Sequence, residues 1–248
     1  FTDWRALVLE CDRLIAEHPD LAGIVIGHGT ATMEETAYFL SLTLKVALPV
    51  VMVGSQRPAS ALSGDAGLNL VNALRVPAAR GMGVLVVLND EINAAREVAK
   101  TSTTRLQTFR TADFGVLGQV DGDAVVFYRR PLRRCYPDTA FDIRALDALP
   151  RVDISYSYVG ADGAAPRAFI AAGARGIVSA GFAPGSPTPG ELEALEEAIK
   201  AGIVVMQSTR VGSGRVFKGR RMREAGILAA DNLTPQKARI LLALALTV

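Results

Sequence analysis

The sequence has little cysteine: two residues in 248, Cys11 and Cys135. They stand far apart in unrelated contexts. A disulfide framework needs several pairs and a thiolate metal site needs clustered ligands, so neither is expected. Charge of one sign is not in excess either: 27 Lys and Arg face 25 Asp and Glu, a net charge of +2. That surplus is too small to point to a nucleic-acid partner. The basic stretches, Arg129, Arg130, Arg133 and Arg134 and then Arg215, Lys218, Arg220, Arg221 and Arg223, read as solvated loops. Long apolar runs are missing as well. The longest, such as Val84 to Leu88 and Leu241 to Leu246, fall far short of the roughly 20 residues that cross a bilayer, so no membrane association is expected. What remains is a chain that is 50% hydrophobic, 21% charged and 6% aromatic. It is neither disordered nor collagen-like in composition, and at roughly 150 residues per domain it makes one large or two modest domains.

Six short apolar runs, rich in Val and Ile and bounded by Gly or Pro, read as buried parallel strands: Gly23 to Ile26, Pro49 to Val53, Gly83 to Leu88, Val152 to Tyr158, Gly176 to Ser179 and Gly202 to Met206. Apart from Val152 to Tyr158 they do not alternate with polar residues, and helix-length segments separate them. Thr32 with Glu35 is a capping-box pattern ahead of a helix from Met33 to Lys45. Thr188, Pro189 and Glu191 repeat it before Leu192 to Lys200, and Thr234-Pro235 opens a last helix that runs to Ala245. Strand, helix and strand in alternation predict an α/β fold with a parallel sheet. The rhythm breaks between Asp121-Gly122, a hairpin-turn pair, and Pro150. A larger N-terminal domain over 1–145 and a smaller α/β domain over 150–248 follow.

Three segments carry candidate chemistry. The first, Ile26-Gly27-His28-Gly29-Thr30-Ala31-Thr32, lies between a strand and a helix, at the carboxyl end of the sheet where α/β proteins bind ligands. Its glycines let a ligand approach the backbone, and the helix behind offers N–H groups to an anion. Thr30 is a structural cap or a functional hydroxyl, and Thr32 already stands in the capping position. The second segment is Val53-Gly54-Ser55-Gln56-Arg57-Pro58, leading to Ser63, Asp65 and Asn69. Ser63 and Asp65 read first as helix caps, and Arg57 reads equally as a clamp on carbonyls or as a substrate anchor. The third is Leu88-Asn89-Asp90-Glu91, followed by Lys100-Thr101-Ser102. A lone Lys is normally a solvated surface residue, whereas Lys100 is set among small hydroxylated residues. Near a Thr hydroxyl, an amine of lowered basicity takes the proton and makes the oxygen a nucleophile.

These segments resemble the bacterial-type L-asparaginase and glutaminase-asparaginase family over nearly the whole chain. His28-Gly29-Thr30 with Met33-Glu34-Glu35-Thr36-Ala37 is similar to its histidine-glycine-threonine signature. Arg57-Pro58, Leu88-Asn89-Asp90-Glu91, Lys100-Thr101, Ser179-Ala180-Gly181, Ser208-Thr209-Arg210-Val211 and Pro235-Gln236-Lys237-Ala238-Arg239 fall in the family's order. The resemblance implies a parallel-sheet N-terminal domain followed by a smaller flavodoxin-like α/β domain. It implies hydrolysis of L-asparagine, with L-glutamine as an alternative, to the acid and ammonia through a threonine acyl-enzyme, with no metal or organic cofactor. Thr30 matches the family's second catalytic threonine and Lys100 the lysine paired with it. Backbone around Gly29 is then expected to hold the substrate carboxylate, and backbone at Ser55 to meet the side-chain amide. The family also implies a homo-oligomer, a dimer or tetramer, with a small amino-acid amide as partner. A cytoplasmic location is expected, with a periplasmic one as the alternative.

The chain departs from the family pattern in three places. No threonine-glycine-glycine-threonine-isoleucine run, which carries the family's usual primary nucleophile, occurs in the sequence. The chain starts at Phe1 without an initiator Met, so a segment upstream of it is expected in the native protein. The residue after Thr30 is Ala31, where the family has an Asp that binds the substrate amino group. The loops that meet a partner subunit in the family read Gly181 to Ser186, without the usual Asn residues, and Gly212 to Glu224, which is basic. These departures also predict an alternative, a non-catalytic or altered-substrate binding protein that uses the same cleft.

Overall fold

A computed structural model describes residues 1–76 and 81–248. The chain forms two compact units, Phe1–Asp147 and Ala148–Val248.

In the first unit the elements run α1 (Thr2–Glu17), β1 (Ile24–Gly27), α2 (Met33–Thr43), β2 (Val50–Val53), α3 (Ala66–Arg75), β3 (Val84–Leu88), β4 (Glu91–Ala94), β5 (Ala99–Lys100), β6 (Phe109–Arg110), β7 (Gly118–Val120) and β8 (Val125–Phe127). One sheet has the order β1-β2-β3-β4-β7-β8. Its first three strands are parallel, Val25 beside Val51 and Val51 beside Leu85, and the other pairings are antiparallel. The Val and Ile runs become strands because both faces are covered: β2 and β3 are buried throughout. Each such side chain contributes about 1.5–3 kcal/mol relative to exposure. Helix α1 packs Trp4 flat on Phe39, ring centroids 4.6 Å apart, while the indole N–H donates to Thr36 Oγ1 at 3.0 Å.

Two features were not legible in advance. Strand β4 turns back from β3 through Asn89 and Asp90, both at positive φ, 53° and 62°. Two left-handed residues in a row make the tight hairpin turn that matches strand twist, and Asn and Asp are the residues other than Gly that tolerate it. Second, the expected capping box of α2 does not close. Thr32 stands at the N-cap with φ −124° and ψ 10°, and its side chain makes no cap hydrogen bond. Only its carbonyl takes part, accepting from Glu35 N and Thr36 N at 3.1 Å. The Asp121-Gly122 turn does join β7 to β8, with Asp121 N donating to Ala124 O at 2.8 Å.

The second unit comprises β9 (Val152–Tyr156), α4 (Ala164–Ala171), β10 (Gly176–Gly181), α5 (Pro189–Lys200), β11 (Val204–Thr209), α6 (Arg220–Glu224), β12 (Leu228–Ala229) and α7 (Pro235–Ala245). Its sheet, β12-β11-β10-β9, is parallel throughout. Here the capping box does form. Thr188 accepts from Glu191 N, and the Glu191 carboxylate accepts from Thr188 N. Both cysteines are free thiols, and among the described residues no helix is long and apolar enough to cross a membrane.

Candidate active site

Because β1, β2 and β3 run parallel, the loops that follow them share one edge of the sheet. The loop after β1 carries His28 to Thr32, and the loop after β2 carries Gly54 to Arg57. The two touch because position 54 has no side chain: a Cβ there would lie 2.5 Å from His28 O and 3.4 Å from Thr30 Cγ2. Below the second loop, Asp65 works as a clamp and not as a helix cap. Its carboxylate accepts from Gln56 N at 2.8 Å and from Arg57 N at 2.9 Å, and no cap hydrogen bond comes from its side chain. Burial raises the Asp65 carboxyl, but the hydrogen bonds from Gln56, Arg57 and its own backbone and from Asn69 outweigh it. The group is held below the usual carboxylate range.

Asn69, buried on α3, ties three segments together. Its amide donates to Gly54 O at 3.0 Å and to Asp65 Oδ2 at 3.2 Å, and its oxygen accepts from Asn89 N at 2.8 Å. Asn72, also buried, donates to Asp90 Oδ1 at 2.7 Å. The loops after β2 and β3 are thus pinned by side chains of one helix.

Into this edge β5 brings Lys100. Its backbone N–H donates to the buried Glu34 Oε2 at 2.8 Å, and its ammonium donates to Thr30 Oγ1 at 2.8 Å. The same ammonium donates to Gln56 Oε1 at 3.2 Å. Thr30 Oγ1 in turn donates to Gln56 Oε1 at 2.9 Å. Three side chains from two loops and one strand therefore meet at one point, with the Thr hydroxyl against the Lys nitrogen. A hydroxyl that touches an amine at this distance can lose its proton to it and attack an electrophilic carbon. Gly29 and Ala31, both exposed, flank Thr30.

The remaining residues singled out from sequence take plainer places. Ser55 is half-buried, and its hydroxyl donates to Arg57 O at 3.1 Å. Arg57 clamps Ser63 O at 2.6 Å, which is the carbonyl-clamp reading of that residue. His28 makes a ring-nitrogen hydrogen bond with Gly29 O at 2.7 Å. Sequence reasoning missed Gln56 and Glu34. Their roles depend on partners 44 and 66 positions away, which no local pattern encodes. Among the described residues no group of three or more His, Cys, Asp or Glu could hold a metal ion.

Comparison with known proteins identifies the family. Residues 1–133 match the family described as asparaginase, N-terminal, and residues 151–248 match the glutaminase/asparaginase C-terminal domain. L-asparaginase 2 of Bacillus subtilis is 46% identical over 231 residues, 92% of this chain and 61% of that protein. The probable periplasmic L-asparaginase of Haemophilus influenzae is 46% identical over 230 residues, 91% of this chain and 66% of that protein. The chain thus spans about three-fifths to two-thirds of the length of these curated relatives. The crystal structure of a probable cytoplasmic L-asparaginase from Campylobacter jejuni superposes with a TM-score of 0.94 at 41% identity, covering 98% of this chain and 80% of that one. The chain belongs to the bacterial-type asparaginase and glutaminase-asparaginase family.

Proposed function

We propose that Thr30 and Lys100 hydrolyse the side-chain amide of L-asparagine, with L-glutamine as a second substrate, to the acid and ammonia. The observation that carries this reading is the 2.8 Å contact between Lys100 Nζ and Thr30 Oγ1 at the carboxyl edge of the parallel strands. As an amine, Lys100 takes the hydroxyl proton while Oγ1 bonds to the amide carbon. A base placed in this way contributes roughly 10²–10⁴ in rate. The tetrahedral oxygen carries the negative charge, for which backbone N–H groups are the donors; in other enzymes one such donor accounts for about 3–4 kcal/mol of barrier. The Lys100 ammonium then returns its proton to the leaving nitrogen, the C–N bond breaks and ammonia departs, leaving an ester on Thr30. Water takes ammonia's place and gives a proton to Lys100 as its oxygen bonds to the ester carbon; Lys100 then returns that proton to Thr30 Oγ1 as the ester bond breaks, releasing the free acid.

Backbone around Gly29 receives the substrate carboxylate and backbone at Ser55 the amide, and both segments border Thr30. Ammonia release from L-asparagine by the 248-residue chain, with Lys100→Met as control, tests the reading. Release that falls by about 10²-fold or more in the control supports it. Release that Lys100→Met leaves intact contradicts it.

A second reading, an altered-substrate or binding role, has Ala31 in its favour, because a methyl group beside Thr30 gives an α-ammonium no anchor. Calorimetric titration decides between them: tight binding of aspartate without binding of succinate argues against this second reading. We also propose a homo-oligomer, a dimer or tetramer. Helix α3 supports it, since it buries Asn69 and Asn72 and exposes Leu68, Val71 and Leu74 along one side. Light scattering on the purified chain reads the state directly. The compartment proposed is the cytoplasm, as in the name of the Campylobacter jejuni protein; the Haemophilus influenzae relative is named as periplasmic, and cell fractionation distinguishes the two.

A further inference from the structure

We propose that Gln56 is a positioning residue for the nucleophile and its base, a neutral third member of the Thr30–Lys100 pair. The inference rests on the reading of Thr30 as nucleophile and Lys100 as base. Gln56 Oε1 accepts from Thr30 Oγ1 at 2.9 Å and from Lys100 Nζ at 3.2 Å, while Lys100 Nζ donates to Thr30 Oγ1 at 2.8 Å. One oxygen therefore fixes both the direction of the hydroxyl and the end of a long, flexible amine.

The amide is held from behind as well. Its Nε2 donates to Arg105 O at 3.1 Å, which leaves the oxygen facing the pair. The reversed amide would turn two hydrogens toward two donors and its oxygen toward a carbonyl. The backbone at the same residue is pinned, Gln56 N donating to Asp65 Oδ2 at 2.8 Å. The side chain is thus ordered before any ligand arrives, which is what a reaction sensitive to small displacements requires.

The chemistry of the residue matters as much as its place. Proton transfer needs Lys100 as the neutral amine at the moment of attack. A carboxylate at the same point would favour the ammonium and oppose that step. A carboxamide oxygen supplies the same direction without the charge. As the proton leaves Thr30, the hydroxyl turns from Gln56 to Lys100 by rotation about a single bond, and the new ammonium keeps its contact with Oε1.

The test is acetylation of Thr30 by p-nitrophenyl acetate, read by phenolate release and by the mass of the peptide that carries Thr30, with Thr30→Val as background. In this step Oγ1 bonds to the acetyl carbon, the phenolate leaves, and the hydroxyl proton passes to Lys100. Gln56→Met keeps the size and removes the acceptor. It is expected to acetylate about ten-fold or more slowly, with unchanged melting, and to lower kcat for L-asparagine with little change in KM. Gln56→Glu is expected to regain rate only at higher pH than the wild type. Gln56→Met acetylating as fast as the wild type, or faster, overturns the positioning role while leaving Thr30 as nucleophile. A wild type with no acetylation above the Thr30→Val background overturns the nucleophile reading itself, and this inference with it.

Discussion

Helices α2 and α5 begin with the same residues at the same spacing, Thr32 to Glu35 and Thr188 to Glu191, and they use them in opposite ways. At α5 the N-cap is extended, φ −66° and ψ 161°, and the box closes. Glu191 is 2% exposed, and its two oxygens also accept from Ser155 at 3.1 Å and Ser157 at 2.7 Å. The acid there holds a helix to its own unit. At α2 the chain arrives from the turn that presents Thr30, and Thr32 is left exposed outside the extended region. In extended conformation a cap hydroxyl overlies the third helical N–H; away from it the hydroxyl does not. The buried acid of this helix is Glu34, one position earlier, and it holds the backbone of Lys100. The motif alone does not decide its use; the conformation imposed by the preceding loop does.

The largest effect that would break this comparison comes from Gly54. In Gly54→Ala the new methyl meets His28 O at 2.5 Å, so the loop of Gln56 must move off the loop of Thr30. A displacement near 1 Å costs about 10²-fold in rate, and steady-state ammonia release reads it. An unchanged rate would mean that the two loops need not touch. Smaller and more pointed is the pair of cap variants. Thr188→Ala is expected to destabilise the protein by about 1 kcal/mol, and Thr32→Ala by less than about 0.5 kcal/mol, both from urea denaturation. Equal losses would show that the α2 box closes in solution.

The smallest effect concerns acid. The Asp65 carboxyl titrates lower in the fold than its ordinary 3.8. Its contribution to stability is therefore present above that value and fades as pH falls through the lowered one. Asp65→Asn is expected to flatten the stability loss below about pH 4, where the unfolded carboxyl takes up its proton. A variant that follows the wild-type curve there contradicts the clamp.

Much of the framework was readable because its signals are local. Val50–Val53 and Val84–Leu88 are strands on apolar content and flanking Gly or Pro alone, and Thr188-Pro189 announces α5 before any packing is known. Thr30 and Lys100 could each be singled out from their local settings, but their pairing came only with the resemblance, since 70 positions separate them. Gln56 escaped even that, because its carboxamide gains meaning only when Gly54 and Asp65 bring it to the pair. Helix α3 misleads for a related reason. It turns Asn69 and Asn72 inward to hold the loops after β2 and β3, and leaves Leu68, Val71 and Leu74 outside. Its pattern, read alone, puts the wrong face in the core.

Rapid acid quench of the chain with L-asparagine, followed by peptide mass analysis, tests the central claim most directly. An aspartyl group carried on the peptide that contains Thr30, and lost in Lys100→Met, is the predicted result. Turnover with the aspartyl group on another residue, or on none, would contradict it.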